Sequence, residues 1–321
     1  MLKEFPMLQK LASRMAVILL SLLMATPVFA AYPDKPVTLV VPFGAGGAVD
    51  VPARLLGNMM EKKLGQTIVV QNIVGAAGTQ GAAQVVTANP DGYTLGYFPT
   101  GVVCLQPHVQ NVPYGRDSFT LLGMTTRQPV VLMSSQKAPW KDFKEMVEIV
   151  KKEPDTYVVA ITGTGNMTHI PVLELAKHFG LKFRYIPYRT TPEVMKDMLT
   201  GRVALYADSP VPLSQFDVFG LIQFADARAD NLNFPTTKEM GYDGQFLHWQ
   251  GVFAPKDLPA DVTERLAQVI QEVVQSPEFA AEMSKMSSRA HWLGVDEFRR
   301  FFEKEFDMYG VVLKEIMAKP Q

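Results

Sequence analysis

The sequence predicts an α/β fold with material for two domains. Two observations carry this expectation. From Ala31 onward, short β-branched or aliphatic runs alternate with stretches of helical periodicity, the pattern of mostly parallel sheets joined by helices. The chain also has 321 residues, more than one average domain needs. A formal net charge of −1 at pH 7 gives no electrostatic case for a nucleic acid or a membrane surface as partner.

Residues 1–30 read as a signal peptide rather than as part of the fold. Lys3, Lys10 and Arg14 give a basic start, Met15 to Met24 an apolar core, and Val28-Phe29-Ala30 a small-x-small-like end. An apolar core of about ten residues is too short to span a bilayer. Cleavage is expected near Ala30, and with no cysteine there a lipid anchor is not expected. Cys104 is the single cysteine, so there is no internal disulfide and no cysteine-built metal site. An exported domain of this size does not need disulfides, and a secreted, disulfide-free chain points to the bacterial periplasm.

Val37 to Val41 reads as a strand buried on both faces. Pro42-Phe43-Gly44-Ala45-Gly46-Gly47-Ala48-Val49-Asp50 follows as a glycine loop. Leu55, Leu56, Met59, Met60 and Leu64 then recur at helical spacing, and Gly65 can end the helix in a left-handed conformation. Strand, glycine loop and helix start aim backbone N–H groups and a helix dipole at one point, which suits an anion. The loop is not a Walker A, because no Gly-Lys-Ser/Thr follows, nor a dinucleotide fingerprint, because Val49 stands at the third glycine. A plain tight turn is the competing reading.

The device repeats. Thr67 to Val70 is a strand, Asn72 to Gly81 a second glycine loop, and Ala82 to Ala88 a short helix. Asn89-Pro90-Asp91-Gly92 is a turn, and Tyr93 to Phe98 a strand ending in Pro99-Thr100-Gly101. Leu121 to Met133 is strand-rich. Trp140, Phe143, Met146, Val147 and Val150 form a helical stripe, and Tyr157 to Thr162 is a strand. Gly163 to His169 is a third glycine loop, with its helix over Ile170 to Phe179. Phe183 to Tyr188 is a strand. Thr191 is expected to cap a helix that has Pro192 at its first position and ends at Gly201. Val203 to Ala207 is a strand leading to Asp208, and His248 to Pro255 is another. Two helices are expected to close the chain. One runs from about Ala260 to Val274. The other follows Asp296 as N-cap and buries Phe298, Phe302, Tyr309, Val312, Leu313 and Ile316.

These pieces, in this order, resemble the substrate-binding proteins of tripartite tricarboxylate transporters, the Bug or TctC-like family. The resemblance runs over essentially all of Tyr32 to Lys319. It is carried by Tyr32-Pro33-Asp34-Lys35-Pro36, Val41 to Gly47 with Asp50, Leu64-Gly65-Gln66, Gly75-Ala76-Ala77-Gly78 and Pro90 to Leu95. Gly163-Thr164-Gly165-Asn166 with His169, Pro187-Tyr188-Arg189, and Trp249-Gln250-Gly251 with Ala254-Pro255 complete it. Asn166, Arg189-Thr190 and Ala204 depart from the family's usual serine, Lys-Gly and acidic residue.

The resemblance implies a two-lobed periplasmic binding protein of type II, a Venus-flytrap with a hinge. Lobe 1 would hold residues 31–130 and 248–321, and lobe 2 residues 131–247, with crossings near Val130 and His248. It implies a small organic carboxylate captured in the interlobe cleft and delivered to membrane transporter subunits. The alternative is a periplasmic sensor that presents the ligand to a membrane receptor. A monomer is expected, with no cofactor, no metal and no catalytic residues. No Gly-x-Ser-x-Gly or His-Glu-x-x-His is present, and the five histidines are scattered.

The ligand-binding residues expected on lobe 1 are Phe43, Ala45, Gly46, Ala77, Gly78 and Thr100, and on lobe 2 Thr164, Asn166, His169, Arg189 and Asp208. Phe43 either walls the cleft or ends a strand as a core aromatic. His169 either caps its helix or contacts ligand. Arg189, the one well-placed cation, pairs either with a second carboxylate, bidentately, or with Asp208. Asp208 binds an amino group, orients water or shapes the hinge. Asp50 reads as a first-turn acid that complements the helix dipole, and Cys104 as a small packing residue.

Overall fold

The computed structural model describes residues 32–229, 231–286 and 288–317; the expected signal peptide lies outside them. Every element below belongs to one compact unit that begins at Lys35. The fold is α/β, built on two sheets.

The first sheet starts with β1 (Val37–Val41), buried at four of its five positions. Its apolar run packs against the two helices that follow it in the chain. Helix α1 (Asp50–Leu64) follows the first glycine loop and ends as expected: Gly65 is left-handed and donates its N–H to Glu61 O. Strand β2 (Ile68–Asn72) pairs in parallel with β1. Helix α2 (Thr79–Val86) begins three residues earlier than its apolar pattern suggests, because a 3₁₀ turn over Ala76–Gly78 leads directly into it. Strand β3 (Thr94–Pro99) joins β1 on its other side. A π-helical turn (Gly101–Leu105) and the short α3 (Gln106–Val109) then bury Cys104.

Strand β4 (Phe119–Pro129) belongs to this sheet, and β5 (Val131–Ser135) to the second. Between them, the Val130 N–H donates to Phe246 O, and Val130 O accepts from the Phe224 N–H, both at 2.9 Å. The outgoing and returning chains are therefore zipped together where they cross.

The second sheet adds α4 (Phe143–Lys152), β6 (Val158–Ile161), α5 (Ile170–Phe179), β7 (Arg184–Pro187), α6 (Thr191–Thr200), β8 (Leu205–Asp208), α7 (Val211–Gln215) and β9 (Val218–Gln223). Its order is β7-β6-β8-β5-β9. The chain then returns through β10 (Leu247–Pro255), α8 (Ala260–Val274), α9 (Pro277–Lys285), β11 (Ala290–Leu293) and α10 (Val295–Met317). The first sheet has the order β11-β4-β10-β3-β1-β2.

Several expectations need correction. The sheets are mixed rather than mostly parallel: among the described residues, five of the nine strand pairings are antiparallel. Parallel neighbours need helical crossovers, and β4, β5 and β10 pass between the sheets without one. Trp140 lies outside α4 and donates its indole N–H to Ser134 Oγ. Thr190, not Thr191, precedes the first residue of α6, and Pro192 is the second. Thr191 instead turns its hydroxyl inward, toward Tyr206 and Asp208. Asp296 lies inside the first turn of α10 rather than at its cap. The closing segment also contains α9, capped by Ser276 accepting from the Phe279 N–H, and strand β11, neither of which was expected. Of the stripe expected on α10, Phe298, Phe302, Tyr309 and Leu313 are buried; Ile316 lies outside the described side chains.

An aromatic cluster holds the first sheet against α10. Phe253 meets Phe98, Phe119 and Phe298 at ring separations of 5.5–5.6 Å, and packs on Trp249 at 6.4 Å and Phe302 at 6.1 Å. All six residues are at most 2% exposed. Phe253→Ala is expected to cost about 3–5 kcal/mol, the range for truncating a buried Phe, read as a lower urea midpoint.

Candidate ligand-binding cleft

The first glycine loop is shaped by side chains that follow it. Asp50, 1% exposed, accepts the Gly46 N–H and the Arg54 Nε–H through one oxygen, each at 2.8 Å. Its other oxygen accepts from Asn72 Nδ2 at 2.7 Å. Asn72 also donates to Phe43 O, and its own carbonyl accepts from Arg54 Nη2, both at 2.8 Å. Burial alone would raise the Asp50 pKa; the hydrogen bonds from Arg54, Asn72 and Gly46 outweigh it and hold the carboxyl below its ordinary value. Asp50 is thus a clamp on the loop as well as a first-turn acid.

The second loop is backbone-driven. Ala76 and Ala77 both have positive φ, 47° and 56°, and Gly78 follows at 91°. The left-handed run leads into right-handed Thr79, and the Gly78 and Thr79 N–H groups bond within the turn, to Gly75 O and Ala76 O. Non-glycine residues held left-handed cost energy, and such strain concentrates at ligand clamps. Gly78 is where the two loops touch. A Cβ there would stand 2.7 Å from Val102 Cγ2 and 3.2 Å from both Phe43 Cζ and Pro42 Cβ. Phe43 is half-buried against the core and also walls Gly78, so its two readings are compatible.

Two of the expected donors are already engaged. The Gly46 N–H goes to Asp50, and the Gly78 N–H to Gly75 O at 2.9 Å. The N–H groups of Ala45 and Ala77 meet no acceptor among the described residues, and both residues are exposed. Thr100 is 1% exposed. Its hydroxyl accepts the Trp249 N–H at 3.0 Å and has the carbonyls of Leu247 and Trp249 in reach at 3.3 and 3.2 Å. Thr100 therefore secures β10, and its single O–H donor faces backbone carbonyls.

The third loop satisfies itself. Asn166 Oδ1 accepts from the Thr168 N–H and hydroxyl, and Thr168 Oγ1 accepts the Thr162 N–H at 2.8 Å. His169, 4% exposed, accepts the Gly165 N–H on Nδ1 at 3.1 Å. It holds the loop rather than the helix start, where it makes no side-chain cap. Burial pushes its pKa down to about 4, which keeps Nδ1 an acceptor. Thr164 is exposed, and with His169 and Tyr185 it lines a cavity of 620 Å³ beside α5.

Asp208 closes β8. It accepts from Tyr206 Oη at 2.8 Å, Thr191 Oγ1 at 3.3 Å and the Ser209 N–H at 2.7 Å. Burial would raise its pKa, but the contacts with His248, Tyr206 and Ser209 hold it down. It stands against His248, with Nε2 at 3.5 Å, and not against Arg189. Arg189 is exposed, and its backbone N–H donates to Glu193. The contact with His248 joins the second sheet to β10 of the first, which favours the hinge reading of Asp208.

Sequence reasoning missed Asn72, His248 and Gln250, whose Nε2 donates to Ala48 O at 3.0 Å. Asn72 could have been found: a polar amide at the carboxyl end of a parallel strand is where α/β sites gather. Nothing in the sequence pairs His248 with Asp208.

The glycine loops stand at the ends of β1, β2 and β6, and Thr100 and Asp208 follow or end β3 and β8. Ala48 of the first loop, Thr100 and Asp208 each contact β10, the strand that returns between the sheets. This is the architecture of a two-lobed solute-binding protein. The chain belongs to the TctC family, the tripartite tricarboxylate transporter family receptors, which it matches over residues 52–317. It is 33% identical over 253 residues to a UPF0065 protein of Agrobacterium vitis, covering 77% of this chain and 73% of that one. Periplasmic binding protein BugD superposes with a TM-score of 0.74 at 29% identity, over 90% of this chain and all of BugD. MatC of Rhodopseudomonas palustris, solved with bound malate, gives 0.72 at 26% identity, over 88% of this chain and all of MatC. Among the described residues no helix is long and apolar enough to cross a membrane.

Two outcomes test this geometry. Asp50→Ala strands Gly46, Asn72 and Arg54 and should lower stability by roughly 2 kcal/mol, the scale of a hydrogen bond to a charged group, measured by urea denaturation. His169 binds a proton more weakly when folded, at about 4, than at its ordinary 6.5. Its contribution to stability is therefore complete above pH 6.5 and lost as pH falls toward 4. Unfolding midpoints between pH 7.5 and 4.5 should drop in the parent chain, and the drop should flatten in His169→Gln.

Proposed function

We propose that this protein captures a small organic carboxylate between its two lobes in the periplasm and delivers it to the membrane subunits of a tripartite tricarboxylate-type transporter. In this reading residues 31–130 and 248–321 form lobe 1, residues 131–247 form lobe 2, and the carboxylate sits on the paired loops of lobe 1. One observation carries the proposal. The loops after β1 and β2 are locked together at Gly78, with the exposed Ala45 and Ala77 presenting N–H groups that meet no acceptor among the described residues. The family match and the malate bound by MatC support the ligand class.

The energetics are adequate without a buried cation. Taking a carboxylate out of water costs several kcal/mol. Each hydrogen bond to a charged group returns about 1.5–3 kcal/mol, and a helix N-terminus adds ~0.3–1, up to ~2 when partly buried. Waters can extend the reach of the loop amides. Micromolar affinity requires only about −8 kcal/mol. Specificity for the far end of the ligand is assigned to lobe 2, with Thr164 and Arg189 as its exposed polar side chains.

A thermal-shift screen of residues 31–321 against mono-, di- and tricarboxylates tests the ligand class. A bound acid at a hundred times its Kd should stabilise by about 2.7 kcal/mol. Ala77→Asp places a like charge at the proposed site while keeping a side chain that tolerates positive φ. It should abolish the shift, whereas the neutral Ala77→Asn should keep it. Equal shifts in both variants would remove the carboxylate from this loop.

A further inference from the structure

The cavity of 620 Å³ beside α5 holds polar groups that the third loop does not use, and it shares no lining residue with the loops after β1 and β2. His169 lines it and is 4% exposed. Its Nδ1 accepts the Gly165 N–H, so the neutral ring carries its proton on Nε2, the nitrogen turned away from Gly165. That N–H meets no acceptor among the described residues. Tyr185 of β7 also lines the cavity, with its ring edge-on to His169 at 5.0 Å. Its hydroxyl makes no hydrogen bond among the described residues, and burial is what pushes its pKa up. Buried donors without partners are costly, and two of them beside one space mark a place for an acceptor.

The rest of the lining says what kind of acceptor fits. Ile161, Leu173, Leu181, Phe183 and Pro187 make much of the wall apolar, a poor setting for a chain of waters, each of which needs several polar partners. The charged lining residues are Lys177 and Lys182 against Asp155, Glu174 and Glu315, and Lys177 is tied to Glu315 at 2.6 Å. No arginine stands among the described lining residues. An anion entering here gains no net attraction and still gives up its hydration.

We propose that this cavity is a second ligand site, for a small uncharged aromatic molecule whose carbonyl oxygen accepts from His169 Nε2–H and whose polar group also meets the Tyr185 hydroxyl. The volume falls in the range of small-molecule pockets, about 300–1,000 Å³. An aromatic body suits the rings of Phe183, Tyr185 and His169, which favour edge-to-face partners. A neutral primary amide satisfies both polar groups at once: its carbonyl accepts the imidazole proton and its NH2 donates to Tyr185 Oη. The site differs in kind from the loops proposed for the carboxylate, which offer main-chain N–H groups to an anion.

The test uses the mature chain, residues 31–321, with benzamide, toluene and sodium benzoate as separate probes at constant ionic strength. Benzamide should raise Tm saturably and move the His169 ring-proton NMR signal along the same curve, that signal being assigned by its loss in His169→Gln. Toluene lacks the acceptor and should bind several-fold more weakly, and benzoate brings a charge and should bind roughly tenfold more weakly. Tyr185→Phe should weaken benzamide several-fold and leave toluene as it was, a split that general loss of packing does not produce. Ala77→Asp should leave the benzamide response unchanged. Should Tyr185→Phe fail to fold, the ranking of the three probes and the His169 signal in the parent chain decide. The proposal is overturned by no saturable response to benzamide, by an unmoved His169 signal, or by toluene or benzoate binding as tightly as benzamide. A folded Tyr185→Phe that binds benzamide like the parent, or loss of the response in Ala77→Asp, overturns it equally.

Discussion

Strand β10 is the piece on which the rest of the structure depends. Its first residues stand where the two sheets meet, and each is fastened to a different neighbour. Leu247 and Trp249 hold Thr100 at the end of β3 through their backbone, and His248 reaches Asp208 across the crossing. Gln250 holds Ala48 in the first glycine loop. Farther along, Phe253 anchors the aromatic cluster beneath α10. Loop, hinge and core are thereby referred to one strand, and a shift of β10 is felt in all three.

The paired loops show how an anion can be accommodated beside an acid. Asp50 carries a negative charge in the first turn of α1, yet Arg54 pairs with it at 2.8 Å and the surrounding side chains bury it. Its role is to fix the course of the backbone, and the loop's exposed N–H groups do the rest. In the proposed function, lobe 1 would meet the ligand through the main-chain N–H groups of Ala45 and Ala77.

Much of the fold was legible because burial leaves a periodic trace. Strand β1 reads from its unbroken aliphatic run, α1 from a stripe closed by Gly65, and α6 from Pro192 at its start and Gly201 at its end. The short β11 and the nine-residue α9 were not legible. β11 is half-buried at every position and carries no alternation, and α9 has two fully enclosed residues, Phe279 and Met283, too few to set a period. The candidate site was legible as loops and not as roles. Glycine spacing located all three loops, but which N–H groups remain available depends on Asp50, Gly75 and His169 as acceptors. Thr100 and Asn166 read as polar ligands in sequence; their contacts to the β10 backbone and to Thr162 and Thr168 are long-range or loop-internal and leave no pattern to read. Long-range partners such as His248 for Asp208 leave no local signature.

Helix α10 has a mechanical consequence. At 23 residues it is about 35 Å long at the usual rise per residue. Its first turns are seated under Trp249 and Phe253. Near its far end Glu315 is tied to Lys177 of α5, and Leu313 lies 3.0 Å from where a Cβ of Gly165 would be. One helix is thus seated under the first sheet at one end and against the third loop at the other, so the packing of its first turns sets where Leu313 meets that loop. Gly165 leaves no side chain in the way, and a Cβ there would press on Leu313 Cδ2 at 3.0 Å.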